Sequence, residues 1–193
     1  MQRCGWVSTD PLYQAYHDKE WGVAQKDSRA LFEMLCLEGQ QAGLSWITVL
    51  KKRENYRAAF YRFDPQAVAQ MNEADIEVLM QNSGLIRHRG KLSAIVTNAR
   101  AYLAMQEQGE DFSRFVWSFV DYQPQINHFS DLQPVPAQTP VSLALSKALK
   151  KRGFKFVGST ICYAFMQSCG LVNDHHTRCF CHPDNSRTES LQF

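Results

Sequence analysis

No run of apolar residues in this 193-residue sequence approaches the roughly 18 to 20 that a membrane-spanning helix requires, so no membrane partner is expected. The opening stretch "MQRCGWVSTD" lacks the apolar core of a secretory signal, and the expected location is therefore cytoplasmic. Charge of one sign is missing too: 21 Lys and Arg stand against 19 Asp and Glu, a net +2. That balance does not by itself demand a nucleic-acid partner, and leaves local clusters to decide. There are no paired CxxC motifs. Six cysteines in a reducing compartment read as core residues or metal ligands rather than disulfides. No stretch alternates apolar and polar residues long enough for a useful strand, and no repeat of fixed period occurs. With 45% hydrophobic and 21% charged residues the chain is not extensively disordered, and the expectation is one unit over 1–193, a monomer by default.

What is present is helical, and the fold class expected is all-α. In "DSRALFEMLCLEG" Leu31, Leu35 and Glu38 recur at i, i+4 and i+7 behind a cap at Asp27 or Ser28. Trp46, Val49 and Leu50 repeat the spacing in a segment running through "KKRENYRAAF". Asp64 and Pro65 open a further helix, and Asn72 starts one that ends near Gly84. Longer helices are expected over 91–105 and 112–120. Four of the seven prolines fall between Tyr122 and Pro140, which reads as an extended connection. Thr139 and Pro140 then restart a helix that stops at Gly153.

"LKKRGFKFVGSTICYAF" is a helix, a glycine-bounded turn and a second helix, at about 141–170. Gly153 and Gly158 bracket the turn, where an absent Cβ permits positive φ and close backbone approach. Amides at the second helix's N-terminus favour an anion such as a phosphate, and Lys147, Lys150, Lys151, Arg152 and Lys155 add positive charge beside them. The alternative is an ordinary helix–helix connection with a solvated lysine face. The clusters "KKR" at 51–53 and "RHRGK" at 87–91 raise the same choice, which turns on whether all three share a surface.

Cys4 and His17 lie near one end of the chain and "HHTRCFCH" near the other. His175 and Cys179 are four apart, and with Cys4 and His17 they compose a Cys2His2 donor set suited to tetrahedral zinc. His176, Cys181 and His182 compete for the same role. Cys36, Cys162 and Cys169 sit in apolar helical stretches and belong to the core, whereas His88 and His128 belong to the surface.

Trp6, Tyr13, Tyr16 and Trp21 crowd the first 21 residues, and Trp46 follows Glu38 around a corner at Gly43. Such rings can hold a planar base, and a carboxylate beside them can accept hydrogen bonds from its amino group or balance its positive charge. Each ring could equally be core. Glu38 is harder to absorb that way, because an unpaired carboxylate on an apolar helix face costs several kcal/mol or else protonates.

With these residues assembled, the chain resembles the 3-methyladenine DNA glycosylase I family of the helix-hairpin-helix superfamily. The likeness runs from "RCGWV" and "YHDKEWGV" through "LFEMLCLEGQQAGLSWITVLKKRENYR" and "IRHRGK" to "ALKKRGFKFVGSTICYAFMQSCGLVNDH". The resemblance implies excision of 3-methyladenine from alkylated double-stranded DNA. By it, Glu38 and Tyr16 fall where the family hydrogen-bonds the base and Trp46 where it stacks, with Trp6 and Tyr13 alongside. It likewise implies that Leu44 wedges into the duplex, that Gly153 to Gly158 with Lys151 and Lys155 form the DNA-binding hairpin, and that Cys4, His17, His175 and Cys179 hold one structural Zn2+. Many superfamily relatives use an aspartate about twenty residues after the hairpin; the nearest acid here is Asp174, and the family works without that aspartate. The tail from Cys179 onward corresponds least, so Cys181 and His182 have no assigned role. Two other classes fit parts of the pattern: a zinc-stapled, non-catalytic DNA-binding module, and a helical small-molecule binder without affinity for DNA.

Overall fold

The computed structural model describes residues 1–186, and the final residues of the expected single unit, 187–193, lie outside the described residues. The elements run α1 (Pro11–Lys19), α2 (Ser28–Gln40), α3 (Trp46–Ala59), a 3-10 turn (Tyr61–Phe63), α4 (Pro65–Ala69), α5 (Glu73–Leu79), α6 (Arg89–Glu107) and α7 (Phe112–Ser118). β1 (Gln125–Ile126), α8 (Pro140–Lys151), α9 (Ser159–Ser168), β2 (Val172–Asn173) and α10 (Pro183–Ser186) complete the described chain. The protein is mainly helical, as its periodicity implies. The two strands pair in parallel and are only two residues long, too short to leave an alternating signal.

Local chemistry sets the boundaries. Asp10, Asp64 and Thr139 each cap a helix whose first position is proline, where the missing N–H has no intrahelical partner to lose. Asn72 and Asp75 cap one another's backbone to start α5. That helix ends at Leu79 rather than near Gly84, because Asn82 Oδ1 accepts from the Gly84 amide and closes a turn there. α1 was not expected from sequence, although it carries the same Asp-Pro start.

α2 is the central helix, packed against α9, α6, α7 and α3. Its last six residues, Leu35 to Gln40, are all buried, so polar Glu38 and Gln40 share the interior with Leu35, Cys36 and Leu37. Cys162 and Cys169 are likewise core, while His88 caps α6 at the surface. Each fully buried leucine contributes roughly 1.5–3 kcal/mol, and this common core is what fixes the polar pair in place.

The N-terminal segment is laid across the end of α9 by backbone bonds, Gly22 N to Gln167 O (3.0 Å) and Gln25 N to Cys169 O (2.9 Å). Gly170, at φ +71°, sits under that crossing, and a Cβ on it would come within 2.4 Å of Ala24 N and Val23 C. Backbone on both sides leaves nothing flexible to yield. Gly170→Ala is therefore expected to cost at least about 3 kcal/mol, read as a shift in the urea midpoint at unchanged m; a loss below 1 kcal/mol would show that the crossing rearranges freely.

Candidate active site

Five elements converge on one cleft of about 230 Å3. α1 supplies Tyr13 and Tyr16, α2 supplies Glu38, α3 begins with Trp46, and the loops flanking α1 supply Trp6 and Trp21. The structure thus brings together all six residues that the sequence reading singled out for a base. Their rings are in contact: Trp6 lies 5.1 Å from Tyr13 and 5.0 Å from Trp21, and Tyr16 lies 5.6 Å from Trp46, centroid to centroid. The indole N–H of Trp46 is buried without a hydrogen-bond partner among the described residues, a donor left over at the cleft.

Glu38 is 3% exposed, and no ion pair reaches it among the described residues. Burial pushes its carboxyl up to about 8 from the ordinary 4.5, against a weaker opposing contribution from the Ser168 hydroxyl. Near neutral pH the folded protein therefore holds Glu38 predominantly as the neutral acid. The Tyr16 hydroxyl is driven well above its ordinary range, chiefly by burial, with a further push from Glu38 when that carboxyl is ionised, so it remains a donor.

Sequence reasoning missed half the wall. Gln41, Val135, Ala164, Gln167, Asp174 and His176 also line the cleft. Gln41 lies three residues after Glu38, but Val135 arrives from the proline-rich connection, whose course has no periodicity to follow. Asp174 is buried and accepts from three donors: the Tyr163 hydroxyl, Gln167 Nε2 (3.0 Å) and Asn127 Nδ2 (2.7 Å).

Behind the aromatic wall, Cys4, His17, His175 and Cys179 are all buried and face one another. Cys179 Sγ lies 3.4 Å from His17 Nε2 and 3.5 Å from His175 Nδ1, and Cys4 Sγ lies 3.5 Å from His175 Nδ1. Such edges match a tetrahedron with bonds of about 2.0–2.3 Å. The remaining ring nitrogens are held, His17 Nδ1 by Asp18 Oδ1 (2.7 Å) and His175 Nε2 by the Trp21 carbonyl (2.8 Å), while the His176 and Cys181 amides donate to the two sulfurs. These four residues could hold a metal ion. Of the competitors, His176 turns its ring to Asp131 and into the cleft wall, and Cys181 directs its sulfur toward the Asp18 carbonyl.

Two turns project from this body. The first, between α2 and α3, presents Leu44 at 40% exposure just after Gly43 at φ +79°. The second joins α8 to α9. Gly153 there has φ +93°, but Gly158, where the missing Cβ permits positive φ or close backbone approach, uses neither: it has φ −61° and open space at its Cβ position. It caps α9 in an extended conformation, and the left-handed residue of the turn is Phe156, at φ +55°. Lys151 and Lys155 are exposed, and no side chain caps the first amides of α9.

α6 holds both turns: Lys91 Nζ donates to Gln40 O (3.0 Å) and Ala42 O, and Asn98 bonds the Lys155 amide (2.8 Å) and carbonyl (3.2 Å). The three basic clusters do not form one free cationic surface. Lys91 is buried, Arg53 grips Glu20, and Arg152 grips Glu110.

The raised carboxyl has a stability signature. Folded protein retains the Glu38 proton that unfolded chain releases between about pH 4.5 and 8, so its burial destabilises progressively as pH rises through that window. Glu38→Gln is expected to unfold at a higher urea concentration than the parent at pH 8, by on the order of 4 kcal/mol, and at nearly the same concentration at pH 4.5. A difference independent of pH would mean that Glu38 is ionised in the empty cleft.

A family model described as methyladenine glycosylase matches residues 6–182. The DNA-3-methyladenine glycosylase 1 of Escherichia coli (strain K12) is 68% identical over 185 residues, spanning 96% of this chain and 99% of that protein. A crystal structure of a 3-methyladenine DNA glycosylase I superposes with a TM-score of 0.93 at 71% identity, covering 94% of this chain and all of that one. A Staphylococcus aureus 3-methyladenine DNA glycosylase I, whose structure concerns 3-methyladenine recognition, superposes at 0.91 with 42% identity, over 95% of this chain and 97% of that one. The cleft-lining residues, from Trp6 to His176, all lie inside residues 6–182, and the chain belongs to the methyladenine glycosylase family.

Proposed function

We propose that this protein hydrolyses the N-glycosidic bond of 3-methyladenine in alkylated double-stranded DNA, releasing the free base and leaving an abasic site. The observation that carries the reading is a buried carboxyl without a cationic partner among the described residues, enclosed by aromatic rings in a cleft of about 230 Å3. Methylation at N3 makes adenine cationic. Glu38 lacks a counter-charge, and a cationic purine supplies one, whereas the undamaged base does not.

The damaged nucleotide leaves the stack and enters the cleft, where Trp46, Tyr13, Trp6 and Trp21 surround its faces and edges. The Tyr16 hydroxyl and Glu38 hydrogen-bond the base. Because the glycosidic bond is already weakened, the base departs with the bonding electrons as a neutral molecule, and water adds to the resulting C1′ cation and loses one proton to solvent. Proton transfer contributes little. Glu38 selects the cation and adds electrostatic stabilisation to the developing oxocarbenium. Leu44 fills the space left in the duplex, and the hairpin's Gly153–Gly158 backbone, with Lys151 and Lys155, contacts phosphates. The described chain acts as a single, monomeric helix-hairpin-helix unit in the cytoplasm, where thiols stay reduced.

The Cys2His2 cluster fits one structural Zn2+, with Cys4, His17, His175 and Cys179 filling four positions and leaving none for water. When bound, the ion would supply a staple between the chain's two ends. His17 follows Tyr16 on α1, so anchoring one residue orients the other.

Analysis of free bases released from methylated duplex tests the activity. Glu38→Gln should lower kcat/KM for 3-methyladenine by roughly 10- to 100-fold, the loss of one charged hydrogen bond; parental turnover would remove Glu38 from the site. For the parent, kcat/KM should rise with pH toward a plateau above about 8 as free Glu38 ionises, and the variant should lack that rise. Complete zinc removal should lower Tm by about 10 °C or more along with activity. An unchanged Tm would refute the staple.

A further inference from the structure

A second cluster of donors stands outside the Cys2His2 set. His182 precedes α10, Asp184 lies within it, and His128 comes from the chain just after β1. His182 Nε2 lies 3.0 Å from the Asn127 carbonyl and must donate to it, so the lone pair of the neutral ring is on Nδ1. That atom faces Asp184: it accepts a hydrogen bond from the Asp184 amide at 3.3 Å, which a bound ion would replace, and lies 3.8 Å from Oδ2. His128 Nε2 lies 3.1 Å from the same Oδ2, and the two imidazoles are 5.1 Å apart. All three donor atoms fall within 4.8 Å of one another.

We propose that His128, His182 and Asp184 form a second divalent transition-metal site, distinct from the Cys2His2 cluster. Bonds of about 2.0–2.2 Å to nitrogen and oxygen require tetrahedral donor edges of about 3.3–3.6 Å, and the observed 3.1 and 3.8 Å lie a few tenths of an ångström to either side, a shift the exposed His128 and Asp184 side chains can make. The buried ring is oriented by a backbone carbonyl on its far nitrogen, the usual support of a metal-bound histidine. Two imidazoles and one carboxylate suit zinc, cobalt, nickel or copper and disfavour magnesium and calcium. His128 and Asp184 are more than half exposed, so water completes the shell and binding is weaker than at four buried ligands.

An ion there would fasten α10 to the segment after β1. The same segment runs beside 173–177 through Asn127 N to Asn173 O and Thr177 N to Phe129 O, and its Asn127 side chain holds Asp174 on the cleft wall.

Zinc is the probe. Full-length parent, His128→Ala and Asp184→Asn are dialysed against a series of buffered free-zinc concentrations and bound zinc is counted by emission spectrometry, with thermal melts confirming that the variants fold. The expected result is one more zinc per chain in the parent than in either variant at a given free concentration, with at least a tenfold loss of affinity for that ion. The Cys2His2 set is intact in all three proteins and cancels in the difference. Equal zinc content across the series, or a parental excess abolished by millimolar magnesium, would overturn the proposal.

Discussion

The structure depends on a carboxyl that has no counter-charge among the described residues, at the buried end of its central helix. Glu38 is held there by the apolar residues on either side of it in α2 and by the helices packed around that end. A charged group in such a place is unstable, and the protein leaves it neutral rather than provide an internal partner. The destabilisation is local and is offset by the common core. What it creates is a site whose electrostatics are completed from outside.

The aromatic wall and the Cys/His cluster are two faces of one short lobe. α1 turns Tyr16 toward the cleft and His17 toward the sulfurs, and the Trp21 carbonyl holds His175 while its indole contacts Trp6. Gly170 permits the lobe to cross α9 closely enough for this arrangement to meet Glu38. Order in the cluster and order in the cleft are therefore coupled through adjacent residues of α1.

The helical class, most caps and the polar-in-apolar anomaly at Glu38 were legible because period, proline and capping side chains act within a few residues. α1 escaped because its nine residues have Tyr16 and His17 as their only buried positions, giving little apolar periodicity beside a clear Asp10-Pro11 start. The far wall of the cleft escaped for a different reason. Val135 and Asp174 reach it through a proline-rich connection and a two-residue parallel bridge, both set by tertiary packing, and Gln167 sits on α9, whose orientation toward the cleft is likewise tertiary. The hairpin shows the limit of residue type as a guide: of its two glycines only Gly153 needs the left-handed region, and a phenylalanine occupies the other such position. Nor could sequence reveal that cations in each basic cluster are already committed inside the molecule.

α6 grips the Leu44 turn through Lys91 and the hairpin turn through Asn98, two side chains almost wholly removed from water on one continuous helix. The helix works as the bar of a caliper whose jaws have been set before anything is measured. Under the proposed reading, a duplex touching both jaws would find their opening set by these hydrogen bonds, so that whatever bending or unstacking the fit demands would fall on the nucleic acid. Lesions that soften the double helix would then be gripped more readily than sound DNA, even before a base reaches the cleft.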